Sequence, residues 1–191
     1  MSRLDRKTQI TSAALELFRR KGFAGVSTRD LAEYAGLSRS HLYHYFSDWN
    51  DLRREAFLHF AEEQLEEVRV ALVGLTGTEA LREFVRCCLP VSADSDWMLW
   101  LDAWDEAMHD PELAQAYQRI NGEWQAVLTQ IIEEGLASKA FECTSAARAA
   151  RQLFALAMGY ADDLLLQPSD EAANAALGEV MEVAGLLLAT S

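Results

Sequence analysis

The sequence predicts an all-α protein, and three observations support that fold class. Apolar residues recur with the period of a helix along successive segments, no segment has the alternating pattern of a strand, and short runs of Gly, Pro, Ser and Asp separate the segments. About nine helices are expected. The first three form a small headpiece, and a long fourth helix joins it to a helical body, so we expect domains at residues 1–50 and 51–191.

The headpiece differs in charge from the rest of the chain. The whole protein carries a net charge of -13, but residues 1–50 contain eight Lys or Arg and five Asp or Glu, a net charge of +3. The remaining residues therefore carry -16. An acidic surface repels phosphate, whereas a basic segment joined to an acidic body is typical of an interaction module.

Composition disfavours membrane and secreted proteins. No apolar run approaches the roughly 18 residues needed to cross a bilayer, and no signal-peptide core follows the charged N-terminus. We therefore expect a cytoplasmic protein without a membrane partner. The cysteines Cys87, Cys88 and Cys143 form no CxxC pair, which favours buried thiols over a disulfide framework or a zinc site.

Three short helices are predicted in the headpiece. Apolar residues at helical spacing indicate the first, which is expected to end at Gly22 after a basic cluster. Thr28 can cap the second helix. Gly36 permits a left-handed turn, and Ser38 can cap a third helix that reaches about Tyr45. Two short helices joined by such a turn form a helix-turn-helix.

The remaining helices follow from caps and breaks. Asp48 can cap the fourth helix, whose amphipathic pattern persists to about Val73. Five further helical segments are predicted. The breaks between them are "GLTGT" (74–78), "LPVSADSD" (89–96), "HDP" (109–111), "EEGLASKAFECTS" (133–145) and "QPSD" (167–170).

The stretch "LSRSHLYHYFSD", residues 37–48, separates polar from apolar side chains on the third helix. Leu42, Tyr45 and Phe46 are predicted to face the core. On the polar side, Arg39 can bond a guanine edge or a phosphate, and hydroxyl and imidazole groups suit phosphate oxygens. The residues predicted to contact DNA are Thr28, Arg29, Ser38, Arg39, Ser40, Tyr43, His44 and Trp49.

The segment "STRDLAEYAGLSRSHLYHYFSDWNDL", residues 27–52, resembles the signature of the TetR family of one-component bacterial regulators. The resemblance implies a homodimer that binds a palindromic double-stranded DNA operator and, by the family default, represses until a small-molecule inducer releases it. Trp49 departs from the family pattern, which usually has a Lys that touches phosphate. Trp49 either donates its indole N–H to phosphate or packs under the headpiece.

The resemblance also implies a body that dimerises through its last two long helices and holds the inducer in an internal pocket. Segments 145–166 and 170–189 suit dimerisation because they have broad apolar faces and small residues that allow close helix approach. The stretch "WLDAWDEAMHDPEL", residues 100–113, resembles the corresponding part of the choline-responsive BetI-like branch.

Aromatic residues and carboxylates in the body are the candidate ligand-binding groups. Three Trp share one stripe with Leu101 and Met108, and Asp105 lies at its border. Asp162 and Asp163 interrupt an apolar helix, where they either face solvent or meet a cation. The stripe is interpreted as core, as a binding surface for an organic cation, or as stacking walls for a flat hydrophobic ligand. The predicted ligand-binding set is Trp97, Trp100, Trp104, Asp105, Asp162 and Asp163.

An enzyme and a protein-binding adaptor are the rival classes of function. None of the four His lies in a nucleophile, metalloprotease or phosphate-loop pattern, so no catalytic residue and no cofactor is expected. His41 and His44 are spaced i, i+3, but no nearby Cys completes a metal-ligand set. A helical adaptor that binds protein without DNA is the alternative function, and it leaves the basic headpiece unexplained.

Overall fold

The computed structural model describes residues 3–189, with side chains from Arg6 onward. Residues 1, 2, 190 and 191, at the outer ends of the two predicted domains, lie outside this range. The described residues form nine α-helices and no strand, which confirms the predicted fold class. The helices are α1 (Arg3–Lys21), α2 (Thr28–Tyr34), α3 (Arg39–Leu42), α4 (Trp49–Ala71), α5 (Gly77–Cys87), α6 (Ser95–Ala107), α7 (Pro111–Ala137), α8 (Ala146–Leu166) and α9 (Asp170–Leu188).

The chain divides into two compact units. The N-terminal unit contains the residues up to Gln64 together with Asp94–Ile120. The C-terminal unit contains Leu65–Ala93 together with the residues from Asn121 onward. Helices α4 and α7 each contribute residues to both units. The expected functional boundary at residue 50 remains a prediction.

Helix α1 ends at the glycine that the sequence indicated. Gly22 has φ +76°, a conformation that costs glycine little, and its N–H donates to the Phe18 carbonyl at 2.8 Å. Phe23 follows and is buried, with its ring centroid 4.6 Å from that of Phe18. The turn after α1 is therefore tied to the core of the N-terminal unit.

The predicted cap of α2 is wrong by one residue. Ser27 is the N-cap, and its hydroxyl accepts the Asp30 N–H at 3.2 Å. The Asp30 carboxylate in turn accepts the Ser27 N–H at 2.9 Å, which completes a capping box. Thr28 is the first helical residue, so its hydroxyl is not used as the cap. Hydrogen bonds from Lys21 and Ser27 hold the pKa of Asp30 well below its usual range.

Helix α3 begins as predicted but is shorter. Gly36 has φ +64°, and the Ser38 hydroxyl accepts the His41 N–H at 3.2 Å. The helix ends at Leu42 instead of Tyr45, because the His44 N–H donates to the His41 carbonyl in the tighter i to i+3 pattern. The chain then reaches α4, where Asp48 accepts the Asp51 N–H at 2.8 Å as predicted for a cap.

In the C-terminal unit, helices α8 and α9 pack against each other along their apolar faces. Ser145 and Ser169 cap them by accepting the N–H groups of Arg148 and Ala172. The buried side chains of the two helices are mainly Ala, Leu and Val: Ala149, Ala150, Leu153, Phe154, Ala157, Ala161, Leu164, Ala173, Ala176, Leu177, Val180, Ala184 and Leu188.

The break predicted at residues 133–145 starts later than expected. Helix α7 continues through Gly135 to Ala137. The glycine is required there because the Phe141 ring occupies the space that a Cβ at position 135 would need. A helical glycine can thus be required by packing without ending the helix. The sequence alone could not distinguish these two roles.

The three cysteines carry free thiols. Cys88 is buried, and burial raises the pKa of its thiol. Cys87 and Cys143 are only half-buried. The predicted burial is therefore confirmed fully for Cys88 alone.

We expect Gly135→Ala to destabilise the protein by about 1–3 kcal/mol, because the added methyl group would overlap the Phe141 ring. Gly122→Ala in the same helix is the control, since a Cβ there meets nothing within 4 Å. That change should stabilise α7 by up to about 1 kcal/mol through helix propensity. Urea unfolding followed by far-UV circular dichroism measures both, and equal effects of the two changes would contradict the packing role of Gly135.

Candidate functional site

The segment joining α2, α3 and α4 presents a polar surface and a buried face. Leu42 and Phe46 are buried, whereas Tyr45 is half-buried with its ring centroid 5.6 Å from that of His41. Six of the eight residues predicted to contact DNA are exposed: Arg29, Ser38, Arg39, Ser40, Tyr43 and His44. The short α3 thus separates polar from apolar side chains in the way its sequence indicated.

Thr28 and Tyr43 are brought together although 15 residues separate them. Their hydroxyl oxygens lie 3.5 Å apart, which joins the first residue of α2 to the residue that ends α3. Two adjacent hydroxyls can donate to one phosphate oxygen or to neighbouring oxygens of one phosphate. This pair is therefore suited to hold a nucleic-acid backbone in a fixed register.

Ser38 and Ser40 have different roles. The Ser38 hydroxyl caps α3, and it also lies 3.0 Å from the Ser40 hydroxyl. Because capping occupies the Ser38 oxygen as an acceptor, Ser38 contributes mainly to the local fold. Ser40 caps no helix, so beyond its contact with Ser38 its hydroxyl has no role in the local fold and can donate to an external acceptor.

The cations of residues 6–50 divide into two groups. Most are partnered by side chains of the chain itself, whereas the exposed Arg29 and Arg39 have neither an ion pair nor a side-chain hydrogen bond to any described residue. A guanidinium of this kind can bind an external phosphate without first giving up a carboxylate. The partnered cations are Arg6 with Gln9, Lys7 with Glu55, Arg19 with Asp96, Arg20 with Glu16, and Lys21 with Asp30.

Trp49 begins α4 and is half-buried. Its ring meets that of Phe18 edge-on, with centroids 6.4 Å apart and planes at 69°. Part of the Trp49 indole therefore packs against the headpiece, which is one of the two alternatives predicted for it. The role of Trp49 toward a phosphate remains a prediction.

Helix α6 is tied to the headpiece and to α4 by three carboxylates that the sequence pattern did not indicate. Asp96 accepts the Arg19 Nε–H at 2.6 Å, and Asp102 accepts the backbone N–H of Phe23 at 2.7 Å. The third carboxylate, Glu106, pairs with Arg53 of α4. The signal that could have revealed them is their spacing, because positions 96, 102 and 106 fall on one side of a helix.

Arg53 is almost completely buried, which is unusual for a cation. Its Nη1 donates to Glu106 Oε1 at 2.9 Å, and Nη2 makes an ion pair with Oε2 at 2.7 Å. Nη2 and Nε lack a well-aligned acceptor among the described residues, and the guanidinium lies over the Phe23 ring, 4.6 Å from its centroid. The ring and the carboxylate together replace the water that the cation has lost.

The three Trp of the predicted α6 stripe differ in their burial and their contacts. Trp100 packs in an aromatic cluster with Phe57, Phe60 and Tyr117 at centroid distances of 5.3, 5.7 and 5.7 Å, so the core interpretation describes this residue. Trp97 is half-buried, and 54% of Trp104 is exposed.

The candidate carboxylates all face solvent. Asp105 is exposed on α6 in the N-terminal unit, next to the exposed Trp104. Asp162 and Asp163 are exposed on α8 in the C-terminal unit. The solvent-facing alternative therefore describes both aspartates in the single chain. Among the described residues, no group of three or more His, Cys, Asp or Glu could hold a metal ion.

Two family models match the chain in separate regions. Residues 10–56 match the model described as "Bacterial regulatory proteins, tetR family". Residues 77–187 match the model described as "BetI-type transcriptional repressor, C-terminal". None of the described helices has the length and apolarity required to cross a membrane.

Curated relatives agree with these matches. The chain is 29% identical over 125 residues to the HTH-type transcriptional regulator BetI 1 of Chromohalobacter salexigens, a match that covers 62% of this chain and 60% of that protein. It is 30% identical over 89 residues to the regulator RutR of Escherichia coli, covering 47% of this chain and 42% of that protein. The matched regions thus span less than two thirds of these relatives.

Solved structures share the fold over nearly the whole chain. A TetR transcription regulator from Haloarcula marismortui superimposes with a TM-score of 0.84 at 17% identity, covering 96% of this chain and 98% of that one. A transcriptional regulator from Saccharomonospora viridis, solved with choline, gives a TM-score of 0.77 at 20% identity, covering 94% and 95%. At such identities the likeness concerns the fold.

Removing Glu106 should destabilise the protein, because the buried Arg53 would lose its counter-charge. We expect Glu106→Ala to lower the free energy of unfolding by about 2–3 kcal/mol, less than for a fully buried pair because Glu106 is 30% exposed. The double change Arg53→Met with Glu106→Leu should recover most of the loss. Guanidinium unfolding at fixed protein concentration measures these values.

The matched control is Glu62→Ala, which removes an exposed ion pair with Arg119. Exposed pairs contribute little, so its effect should stay within about 1 kcal/mol. If Glu106→Ala cost no more than this control, the buried pair would not be important for stability.

Proposed function

The chain belongs to the TetR family of bacterial regulatory proteins, with a BetI-type C-terminal region, and from that membership we propose that it is a ligand-responsive transcriptional repressor. It binds a palindromic operator as a homodimer and releases it when a small-molecule inducer binds. The observation that carries the DNA-binding part is the exposed surface where unpartnered Arg29 and Arg39 accompany the Thr28–Tyr43 hydroxyl pair.

On DNA the surface divides into positioning and reading groups. Thr28, Tyr43 and Arg29 hold phosphates, which fixes the register without reading sequence. Arg39, the first residue of α3, enters the major groove, where its guanidinium can bond the O6 and N7 atoms of a guanine. Of the four remaining predicted residues of the interface, Ser38, Ser40 and His44 lie on the same exposed segment, and Trp49 begins α4.

Dimerisation determines the form of the operator. Two headpieces related by a two-fold axis meet successive major grooves about 34 Å apart, so the operator is a near-palindrome. We propose that α8 and α9 supply the interface. An adaptor that binds only protein is disfavoured, because it gives no role to the unpartnered guanidiniums of the headpiece.

We propose a small organic cation as the inducer, bound by the α6 surface of Trp97, Trp104 and Asp105. Indole faces attract cations by about 0.5–2 kcal/mol each, and a neighbouring carboxylate adds charge. The Saccharomonospora viridis neighbour was solved with choline, which is such a cation. Trp100 borders this surface from the aromatic cluster. A binding role for Asp162 and Asp163 remains a prediction from the sequence.

The same helix connects the proposed ligand to the headpiece. Asp96, Asp102 and Glu106 of α6 hold α1, the turn after it, and α4. A ligand that shifts or rotates α6 would therefore move three anchoring points of the DNA-binding surface. The ligand must bind the released arrangement more tightly than the DNA-bound one, since equal affinity for both would shift nothing.

DNA binding should depend on salt and on the hydroxyl pair. Log affinity should fall with log salt at a slope of about -0.9 per neutralised phosphate. Tyr43→Phe and Thr28→Val should each weaken binding to all sites, and the double change should cost less than their sum if both hydroxyls hold one phosphate. Arg39→Ala should also relax base preference, by about 1–3 kcal/mol at one position. Band shifts with DNA flanking the coding region measure these effects.

Arg20→Ala is the control for charge, because Arg20 is exposed but already paired with Glu16. It should change affinity much less than Arg39→Ala. Failure of the purified dimer to bind any promoter fragment at low salt would overturn the regulator proposal.

A quaternary amine should quench Trp fluorescence and release DNA. Choline is the first probe, and its neutral isostere, with a tert-butyl group in place of the trimethylammonium, is the control that removes only the charge. Asp105→Asn should weaken the response, and Asp162→Asn and Asp163→Asn test the sequence prediction for those carboxylates. If uncharged aromatic compounds release DNA while no amine does, the ligand is flat and hydrophobic and the cation proposal is wrong.

A further inference from the structure

The outward face of α8 carries charges that nothing else in the described chain neutralises. The helix packs one face into the C-terminal unit, and the opposite face is open to solvent. Arg151 and Asp162 differ by 11 residues, which returns them to nearly the same side of a helix. The exposed residues along this outward face are Arg148, Arg151, Ala155, Gly159, Asp162 and Leu166.

Charge is separated along this face. Arg148 and Arg151 are the only Lys or Arg residues in residues 145–189, and both lie near the start of α8. Asp162 and Asp163 lie near its end. None of the four side chains makes an ion pair or a hydrogen bond with the side chains described, those of residues 6–189. Arg151 and Asp162 cannot meet within one helix, because three turns, about 16 Å, separate them.

Small residues occupy the middle of the face. Ala155 and Gly159 lie between the two charged ends. A Cβ added at Gly159 would meet nothing within 4 Å, so no contact with the described residues requires glycine there. A glycine inside a helix costs about 1 kcal/mol relative to alanine. Another helix that approaches closely at this point would account for the small side chains.

We infer that this face docks antiparallel against the same face of a second copy of the chain, so that Arg151 of each subunit pairs with the partner subunit's Asp162. The inference rests on the proposed homodimer and specifies its register. In a two-fold interface, residue i meets residue j whenever residue j meets residue i, so one ion pair forms twice. A parallel arrangement would place arginines on arginines and aspartates on aspartates.

A single two-fold axis would bring three pairs of residues together across the proposed interface. The midpoints of Arg151 with Asp162, of Ala155 with Gly159, and of Arg148 with Leu166 lie within a single residue of one another along α8. The small residues therefore lie opposite each other where the helices cross. Leu166, which is 82% exposed in the single chain, is covered by the aliphatic stem of the partner's Arg148.

The acids of α9 are the competing partners for these arginines. Asp170, Glu171, Glu179 and Glu182 are exposed on α9, and Glu179 already accepts the Tyr160 hydroxyl. Glu182 is therefore a suitable comparison for Asp162. Reversing either Asp162 or Glu182, each together with Arg151→Glu, shows which of the two carboxylates pairs with Arg151.

Charge reversal tests the register. Arg151→Glu should raise the dimer dissociation constant at least about tenfold, because it places an acid against an acid at two equivalent positions. Combining it with Asp162→Arg should restore the dissociation constant to within about threefold of the original. The matched control combines Arg151→Glu with Glu182→Arg, which has the same net charge and should not restore it. Analytical ultracentrifugation over a dilution series measures dissociation, and subunit-exchange rates replace it for tighter dimers.

The possible outcomes distinguish the proposed register from the proposed homodimer on which it rests. A wild-type chain that stays monomeric would overturn the homodimer itself. A stable dimer that ignores Arg151→Glu, or one rescued by Glu182→Arg instead of Asp162→Arg, would overturn the register and leave the homodimer standing. Far-UV circular dichroism checks that each variant remains helical, as expected for exposed positions.

Gly159→Leu gives a second readout that does not depend on charge. Its side chain enters open space in the single chain, so the fold should persist, but it would block close approach of a second α8. We expect the dissociation constant to rise at least about tenfold, whereas Gly122→Leu on α7, where a Cβ also meets nothing, should leave it unchanged. Equal dissociation constants for the two variants would place the interface elsewhere.

Discussion

The N-terminal unit depends on how one buried cation is accommodated. Arg53 lies between the Glu106 carboxylate and the Phe23 ring, and both neighbours come from distant parts of the sequence. A cation that has lost its water requires these two partners to stay in place. The pair therefore fixes α6 relative to the start of α4 and to the turn after α1. Asp102, which accepts the Phe23 N–H, fixes the same turn from α6.

Partnering within the chain distinguishes structural cations from those available to other molecules. In an acidic protein a cation readily finds a carboxylate, so an exposed Arg without one is informative. Among the residues whose side chains are described, Arg29 and Arg39 are of this kind in the headpiece, Arg82 is on α5, and Arg148 and Arg151 are on α8. The first pair accompanies hydroxyls suited to phosphate, and the second shares its face with carboxylates at helical spacing. The two pairs therefore point to different partners, DNA and a second subunit.

Local signals predicted most of the fold, and long-range contacts account for what they missed. Gly36 and Ser38 were identified because a left-handed turn and a cap are properties of a few consecutive residues. The error at Thr28 is also local, since neighbouring Ser and Thr can both cap a helix, and the Asp30 carboxylate selects Ser27. The role of Gly135 depends on Phe141 packing onto it, which periodicity cannot reveal.

The candidate site also depends on long-range contacts that local sequence signals do not predict. The exposed polar face of α3 follows from helical geometry, but the 3.5 Å approach of Thr28 and Tyr43 requires two helices to be placed together. For Asp162 and Asp163, the sequence left two alternatives open, exposure to solvent or burial beside a cation. The structure shows both exposed, which removes the cost that suggested a ligand as their counter-charge.

Within the described residues, what the exposed aspartates still lack is an ion-pair partner. The proposed homodimer would supply one, because the partner subunit's Arg151 would lie at the end of α8 that Arg151 cannot reach in its own subunit. On this argument the charges contribute less to the strength of dimerisation than to its register, since a shifted or parallel pairing would bring like charges together.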